Sequence, residues 1–203
     1  MYHRTILRFL KNYRVNIVIR LLIVSDFLIW AANQLFAPIF AIFITEQIHG
    51  GSVEVVGISA AIYFVAKAVF EIPVGMYIDR TKAEKDDLYS AIIGTLGTAL
   101  VVLWFTQITE VWQLYTTQVL MGLMAAVAFP GWYSIFTRHV DENKAAFEWS
   151  LYDVLLGLGM AAAAVIGGLV VEKYGFDIVF YISAISSGIG AVLLLLLRNK
   201  IYK

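Results

Sequence analysis

Apolar residues in this chain neither alternate strictly nor recur on one helical stripe; they run on. Six mostly apolar stretches follow one another at roughly 21–45, 53–77, 88–107, 111–136, 146–171 and 177–197. Each has the ~20 residues a helix needs to cross a bilayer. The breaks between them are short: Gly50-Gly51-Ser52, Asp79 to Asp87, Thr109-Glu110, Arg138 to Lys144, and Glu172 to Gly175. A membrane barrel would show period-two alternation in strands of about ten residues, and these runs are too long and too uniform for that. The pattern predicts an all-α integral membrane protein. A basic cytoplasmic arm (1–20) precedes a six-helix transmembrane bundle (21–197), and a short cytoplasmic tail (198–203) follows it.

Composition agrees. The chain has 203 residues, 61% hydrophobic and 15% charged, with no cysteine and a mean hydropathy of +0.79. A soluble domain carries about 45–50% apolar and about 25% charged residues. The absence of cysteine removes disulfide scaffolds, thiolate metal sites and cysteine nucleophiles. His3, His49 and His139 are scattered, which leaves no histidine metal cluster. No nucleotide loop or paired acid–base site stands out, so neither cofactor nor metal is expected, and an enzyme is the least favoured class.

The formal net charge is zero, which argues against nucleic acid as a partner, but it averages over an asymmetry. Arg4, Arg8, Lys11, Arg14 and Arg20 precede the first span. Arg80, Lys82 and Lys85 lie in the second break, Arg138 and Lys144 in the fourth, and Arg198, Lys200 and Lys203 in the tail. Only Lys173 falls on the other side, and Lys67 lies inside a span. By the positive-inside rule both termini are cytoplasmic, which predicts a multi-pass protein of the cytoplasmic membrane. The first apolar run is too long for a cleaved signal peptide and lacks a small-residue cleavage site. The arm reads equally as an amphipathic surface helix (Ile6, Leu7, Phe9, Leu10, Tyr13) or as a solvated positive flank.

Polar groups inside spans are costly and ask for a reason. Asp26, Trp30, Asn33 and Gln34 share one face of the first span, followed by Pro38. This stripe suits a substrate or proton pathway; the competing reading is inter-helix hydrogen bonding by Asn33 and Gln34. Lys67 and Glu71 stand four apart in the second span, as a structural ion pair or as a switchable site. Gln118 lies in the fourth span beside Thr116 and Thr117, with Trp132 and Tyr133 near its end beyond Pro130. In the fifth, Asp153 is a further pathway candidate, while Glu148 is expected at the solvated interface. Gly157, Ala161, Ala164 and Gly168 form a small-residue stripe that fits close helix contact, within the protomer or between protomers.

The segment Glu71-Ile-Pro-Val-Gly75-Met-Tyr-Ile-Asp79-Arg80-Thr-Lys82 resembles the G-x-L-x-D-R-x-G-R-[KR] loop signature of the major facilitator superfamily, with Lys82 at the second glycine. Gln118-Val-Leu-Met-Gly122 falls where that family's fourth helix carries R-x-x-x-G. The span from Gly157 to Gly168 resembles its glycine-rich fifth helix. Gly75-x-x-x-Asp79-Arg80 recurs 93 residues later as Gly168-x-x-x-Glu172-Lys173, and Pro38 recurs 92 later as Pro130. The echo reads as two three-helix units, 21–107 and 111–197, forming the 3+3 inverted repeat of one half of such a transporter.

The resemblance implies a secondary active transporter of small organic solutes working by alternating access. It also implies proton coupling and a conformational latch at Gly75, Asp79, Arg80 and Lys82. A full member has twelve helices, so six imply a parallel homodimer around a shared cavity, with the lipid bilayer, a second copy, a small-molecule substrate and protons as partners. The first and fourth helices would line the cavity, and the second and fifth would meet the other half. The alternatives are half of a split or truncated transporter with a different partner, or a non-transporting membrane scaffold.

Overall fold

The computed structural model describes residues 15–80 and 84–201, so the arm's cations before Val15, and Lys82 and Lys203, lie outside the described residues. Among the described residues, six helical segments are long and apolar enough to cross a membrane. The first is built from α1 (Ile17–Phe36), a single 3-10 turn and α2 (Phe40–Gln47). The others are α3 (Val53–Arg80), α4 (Glu84–Trp104), α5 (Val111–His139), α6 (Ala145–Tyr174) and α7 (Phe176–Leu194), which ends in a 3-10 turn and a short α8 (Arg198–Ile201).

Local chemistry sets the ends. Asn16 caps α1 by accepting the Ile19 N–H on its side chain. Pro38 has no N–H to donate, and the first span changes to a 3-10 turn around it. Glu110 and Gln113 form a reciprocal capping box at the start of α5. Gly175, at φ +81°, makes the corner between α6 and α7.

The helices outrun the apolar stretches. Asp79 and Arg80 end α3, Glu84 to Asp87 begin α4, and Arg138 and His139 end α5. The break expected at 79–87 is therefore helical at each of its described positions, whereas the one at 138–144 is helical only at Arg138 and His139. Charge ends an apolar run, but it does not end a helix whose backbone bonds can continue into the headgroup layer. Glu148 is not solvated as expected. It is buried on α6 and accepts the Asp141 N–H at 3.0 Å, tying down the loop before its own helix.

The packing order is interleaved. The first span lies mainly on α6 and α7, α5 lies on α3 and α4, and α4 also packs on α7. Exchanging the two three-helix units leaves these pairings unchanged. The same relation appears in hydrogen bonds. Ser90 of α4 donates to the Val127 carbonyl of α5, and Ser183 of α7 donates to the Ala32 carbonyl of α1. A serine on the third helix of each unit thus holds the first helix of the other.

Two apolar clusters fill the interior. One gathers Phe36, Phe43, Phe105 and Phe180 between the first span, α4 and α7. The other gathers Ile19, Leu22, Leu88, Ile135 and Phe136 at the opposite end. Coverage around the bundle is uneven. In the apolar windows of α3 and α6, 17% and 22% of residues are buried, against 50% and 44% for the spans of α4 and α7. Within the chain, α6 approaches the first span through Gly159 and Gly167, whose Cα positions face Phe27 and Leu35. The stripe of Gly157, Ala161, Ala164 and Gly168 is turned away from that contact; Gly157 and Gly168 have open space where a Cβ would stand.

Candidate functional site

The long face of α1 that carries Asp26, Trp30, Asn33 and Gln34 opens onto a cavity of about 600 Å³. The volume is within the usual range for a small-molecule site. Helix α3 contributes Ser59, Tyr63 and Lys67, and α5 contributes Gln118, Phe129 and Trp132; Phe36, Phe40 and Phe105 close one end. The walls are largely apolar, with eight aromatic residues, and Asp26 and Lys67 are the two charged residues among the described lining.

Asp26 lies nine residues into α1, about 13 Å along its axis. It is 7% exposed. The Tyr152 hydroxyl of α6 donates to Asp26 Oδ2 at 2.6 Å, so the carboxylate is held between two helices. Tyr152 is itself packed against Trp132, Phe136 and Trp149 in tilted and edge-on contacts, with ring centroids 5.1 to 5.8 Å apart. Tyr152 is absent from the sequence-based candidates because an aromatic in a span ordinarily reads as packing. Its neighbour Asp153, chosen instead, is exposed and lies outside the cavity lining. One residue is about 100° around a helix, and that turn decides which of the two faces Asp26.

The amides divide. Asn33 donates to the Ile29 carbonyl of its own helix at 3.0 Å rather than to a neighbour. Inter-helix bonding by α1 falls to other positions: Ser25 donates to the Gly190 carbonyl at 2.8 Å. Gln118 is 7% exposed, lines the cavity, and makes no side-chain hydrogen bond among the described residues. Thr116 and Thr117 donate to carbonyls of their own helix, so their hydroxyls are satisfied locally.

Lys67 forms the expected i, i+4 ion pair with Glu71, Nζ to Oε2 at 3.6 Å. Its ammonium also lies over the Phe129 ring, 4.8 Å from the centroid. The two partners face different spaces. Lys67 lines the central cavity, whereas Glu71 lines a second, smaller space with Gly75, Asp79, Tyr133, Ser134 and Arg138. Three of the latch candidates are described: Gly75 and Asp79 border this second space and Arg80 is exposed. Arg138 is anchored by Asp87, which is fully buried at the start of α4. Its guanidinium lies 3.0 Å from Asp87 Oδ2, and Ser134 donates to the same oxygen at 2.9 Å. Asp87 carries no sequence signal, since it reads as part of a solvated acidic break.

A family model described as Major Facilitator Superfamily matches residues 22–203. The chain is 25% identical over 154 residues to an uncharacterized MFS-type transporter, YitZ, of Bacillus subtilis, covering 76% of this chain and 90% of that protein. It is 27% identical over 147 residues to the inner membrane transport protein YajR of Escherichia coli, covering 72% of this chain and 31% of that one. It is 22% identical over 102 residues to the proton-coupled antiporter flippase LtaA of Staphylococcus epidermidis, covering 49% of this chain and 26% of the relative. The chain thus spans nearly all of the Bacillus relative and about a third or less of the other two.

Proposed function

Since the chain belongs to the major facilitator superfamily, a family of multi-pass membrane transporters, we propose that it is a secondary active transporter of a small organic solute, working by alternating access as a parallel homodimer. The observation that carries this reading is the pairing of a half-walled cavity with an uncovered flank. The cavity is lined by the first span, α3, α4 and α5. The two least covered helices, α3 and α6, are those the family resemblance assigns to the other half. The open stripe on α6 and the open space at Gly57 and Gly75 of α3 leave room for close approach by a second bundle. A two-fold axis normal to the membrane then closes the cavity with an identical half, both termini being cytoplasmic.

Proton coupling rests on Asp26, a buried carboxylate on the cavity wall that accepts the Tyr152 hydroxyl, and the proton-coupled Staphylococcus relative is in keeping with it. The latch is Gly75, Asp79 and Arg80 with Lys82, rocking against the partner bundle beside Arg138.

The chain has no cysteine, so Gly168→Cys introduces a single thiol. Spontaneous or copper-driven cross-linking of that variant in native membranes is expected, together with pH-gradient-driven flux in proteoliposomes that Asp26→Asn abolishes. Flux unchanged in Asp26→Asn removes Asp26 from the coupling step. A chain that stays monomeric in lipid and carries no flux favours the second reading, a half that works with a different partner. That reading is supported by the coverage of the Escherichia coli relative, of which this chain matches 31%.

A further inference from the structure

The cavity has two charged residues on its wall, and they are not equally available. Asp26 is 7% exposed and already accepts a short hydrogen bond from Tyr152. A ligand cation would have to displace or share that bond inside a nearly closed corner. Lys67 has 27% of its side chain exposed, and its carboxylate partner is 3.6 Å away, longer than a tight charge-assisted hydrogen bond. The order of the pair, lysine before glutamate at i, i+4, is also the weaker one on a helix. Glu71 opens onto the other space, not the central cavity. The negative charge that neutralises Lys67 therefore approaches it from the side away from the ligand, and the cavity side is free.

Two further groups face the same volume. Gln118 is buried on the wall with a side-chain amide that has no partner among the described residues, a donor and an acceptor with nothing to bond but a ligand or water. Phe129 lies against the ammonium, and Tyr63, Phe64, Trp30 and Trp132 supply further aromatic surface on the cavity wall. A lysine fixed over an aromatic ring, an unsatisfied amide and an aromatic cage together fit one shape of ligand: an apolar or aromatic body with a single anionic head.

We infer that the solute bound in this cavity is an amphipathic anion, its carboxylate, sulfonate or phosphate on Lys67 with Gln118 and its body against Trp30, Phe129 and Trp132. This rests on the transporter reading for its biological meaning but not for its test. Glu71 pairs with Lys67 when the cavity is empty and gives it up in part when the anion arrives.

The experiment is equilibrium binding to the full chain in phosphatidylcholine nanodiscs, with empty nanodiscs as baseline and no gradient applied. The probes are matched pairs that share a body and reverse the charge, 2-naphthoate against 2-naphthyltrimethylammonium and decanoate against decyltrimethylammonium. The anion of at least one pair is expected to bind tenfold or more tighter than its cation. Lys67→Met is expected to remove that preference, Lys67→Arg to keep it, and Gln118→Leu to weaken the anion several-fold. Should Lys67→Met fail to fold, the charge preference of the unaltered protein and the Gln118→Leu effect still decide. A preference for the cations, no charge preference in either pair, or anion binding unchanged in Lys67→Met overturns the assignment. Anion binding without flux would count against transport and leave this assignment standing.

Discussion

Two small-residue stripes run along α6, and a matched pair of substitutions separates them. Adding one methyl at Gly167 places a carbon over the Leu35 carbonyl oxygen and at 2.7 and 2.9 Å from the Leu35 carbonyl carbon and Cα. Ordinary contact begins near 3.4 Å, and all three opposing atoms are backbone, so none can rotate away. The two helices must part by more than half an ångström along their contact, and overpacking of this kind costs about 1–3 kcal/mol. Gly168→Ala, one residue on, meets nothing within 4 Å. Both substitutions gain the same helix propensity over glycine, so the difference between them isolates the clash. For a chain of this size about 2 kcal/mol corresponds to a gap of roughly 4–8 °C in Tm. Thermal unfolding of both variants in the same detergent reads it, with Gly167→Ala the lower. Equal melting temperatures, or a lower value for Gly168→Ala, refute the assignment of Gly167 to the inner contact and Gly168 to the free face.

Other expectations follow from single contacts. Arg138→Met leaves Asp87 buried without its cation and is expected to destabilise the chain toward the low end of about 3–5 kcal/mol, since Arg138 itself is partly exposed; adding Asp87→Asn recovers most of the loss in a thermal melt. Ser90→Ala and Ser183→Ala, which remove matching bonds from the third helix of each three-helix unit, are expected to cost the same, about 0.6 kcal/mol each, and a several-fold difference between them breaks the symmetry argument. In the loop before α6, the Lys144 side chain and the Asn143 N–H hold the Asp141 carboxyl below its usual range. Its stabilising contribution is present above the unfolded value near pH 4 and is lost as pH falls through the lower folded value. Asp141→Asn therefore lowers Tm slightly at pH 7 and leaves it unchanged well below pH 3.

The spans were legible because apolar length is a demand of the bilayer itself, and one polar stripe on α1 was enough to find a cavity wall. Asp26, Trp30, Asn33, Gln34, Lys67 and Gln118 all border the same cavity. What was not legible depends on rotation about helix axes. On α6 nearly every position is apolar or small, so in a membrane, where no hydrophobic difference marks the inner face, Gly157 and Gly159 look alike in sequence. Tyr152 and Asp153 are separated by the same ambiguity, resolved only by where Asp26 sits. Glu148 and Asp87 escaped for another reason: an acid beside a polar break looks solvated until a backbone N–H or an arginine is seen to reach it.

The interleaved order of the helices also sets a schedule for biosynthesis. The first span has little of its final packing within its own three-helix unit; its main neighbours are α6 and α7. The Ser25 contact with Gly190 waits for 165 more residues and the Asp26 contact with Tyr152 for 126. At about 5–20 residues per second, the second of these intervals is roughly 6–25 s of translation. Through that time a helix with an unpaired aspartate rests in lipid or in the care of the insertion machinery. Defects in α7 should then appear as retention or degradation of α1, which puts the first span and the last under one surveillance step.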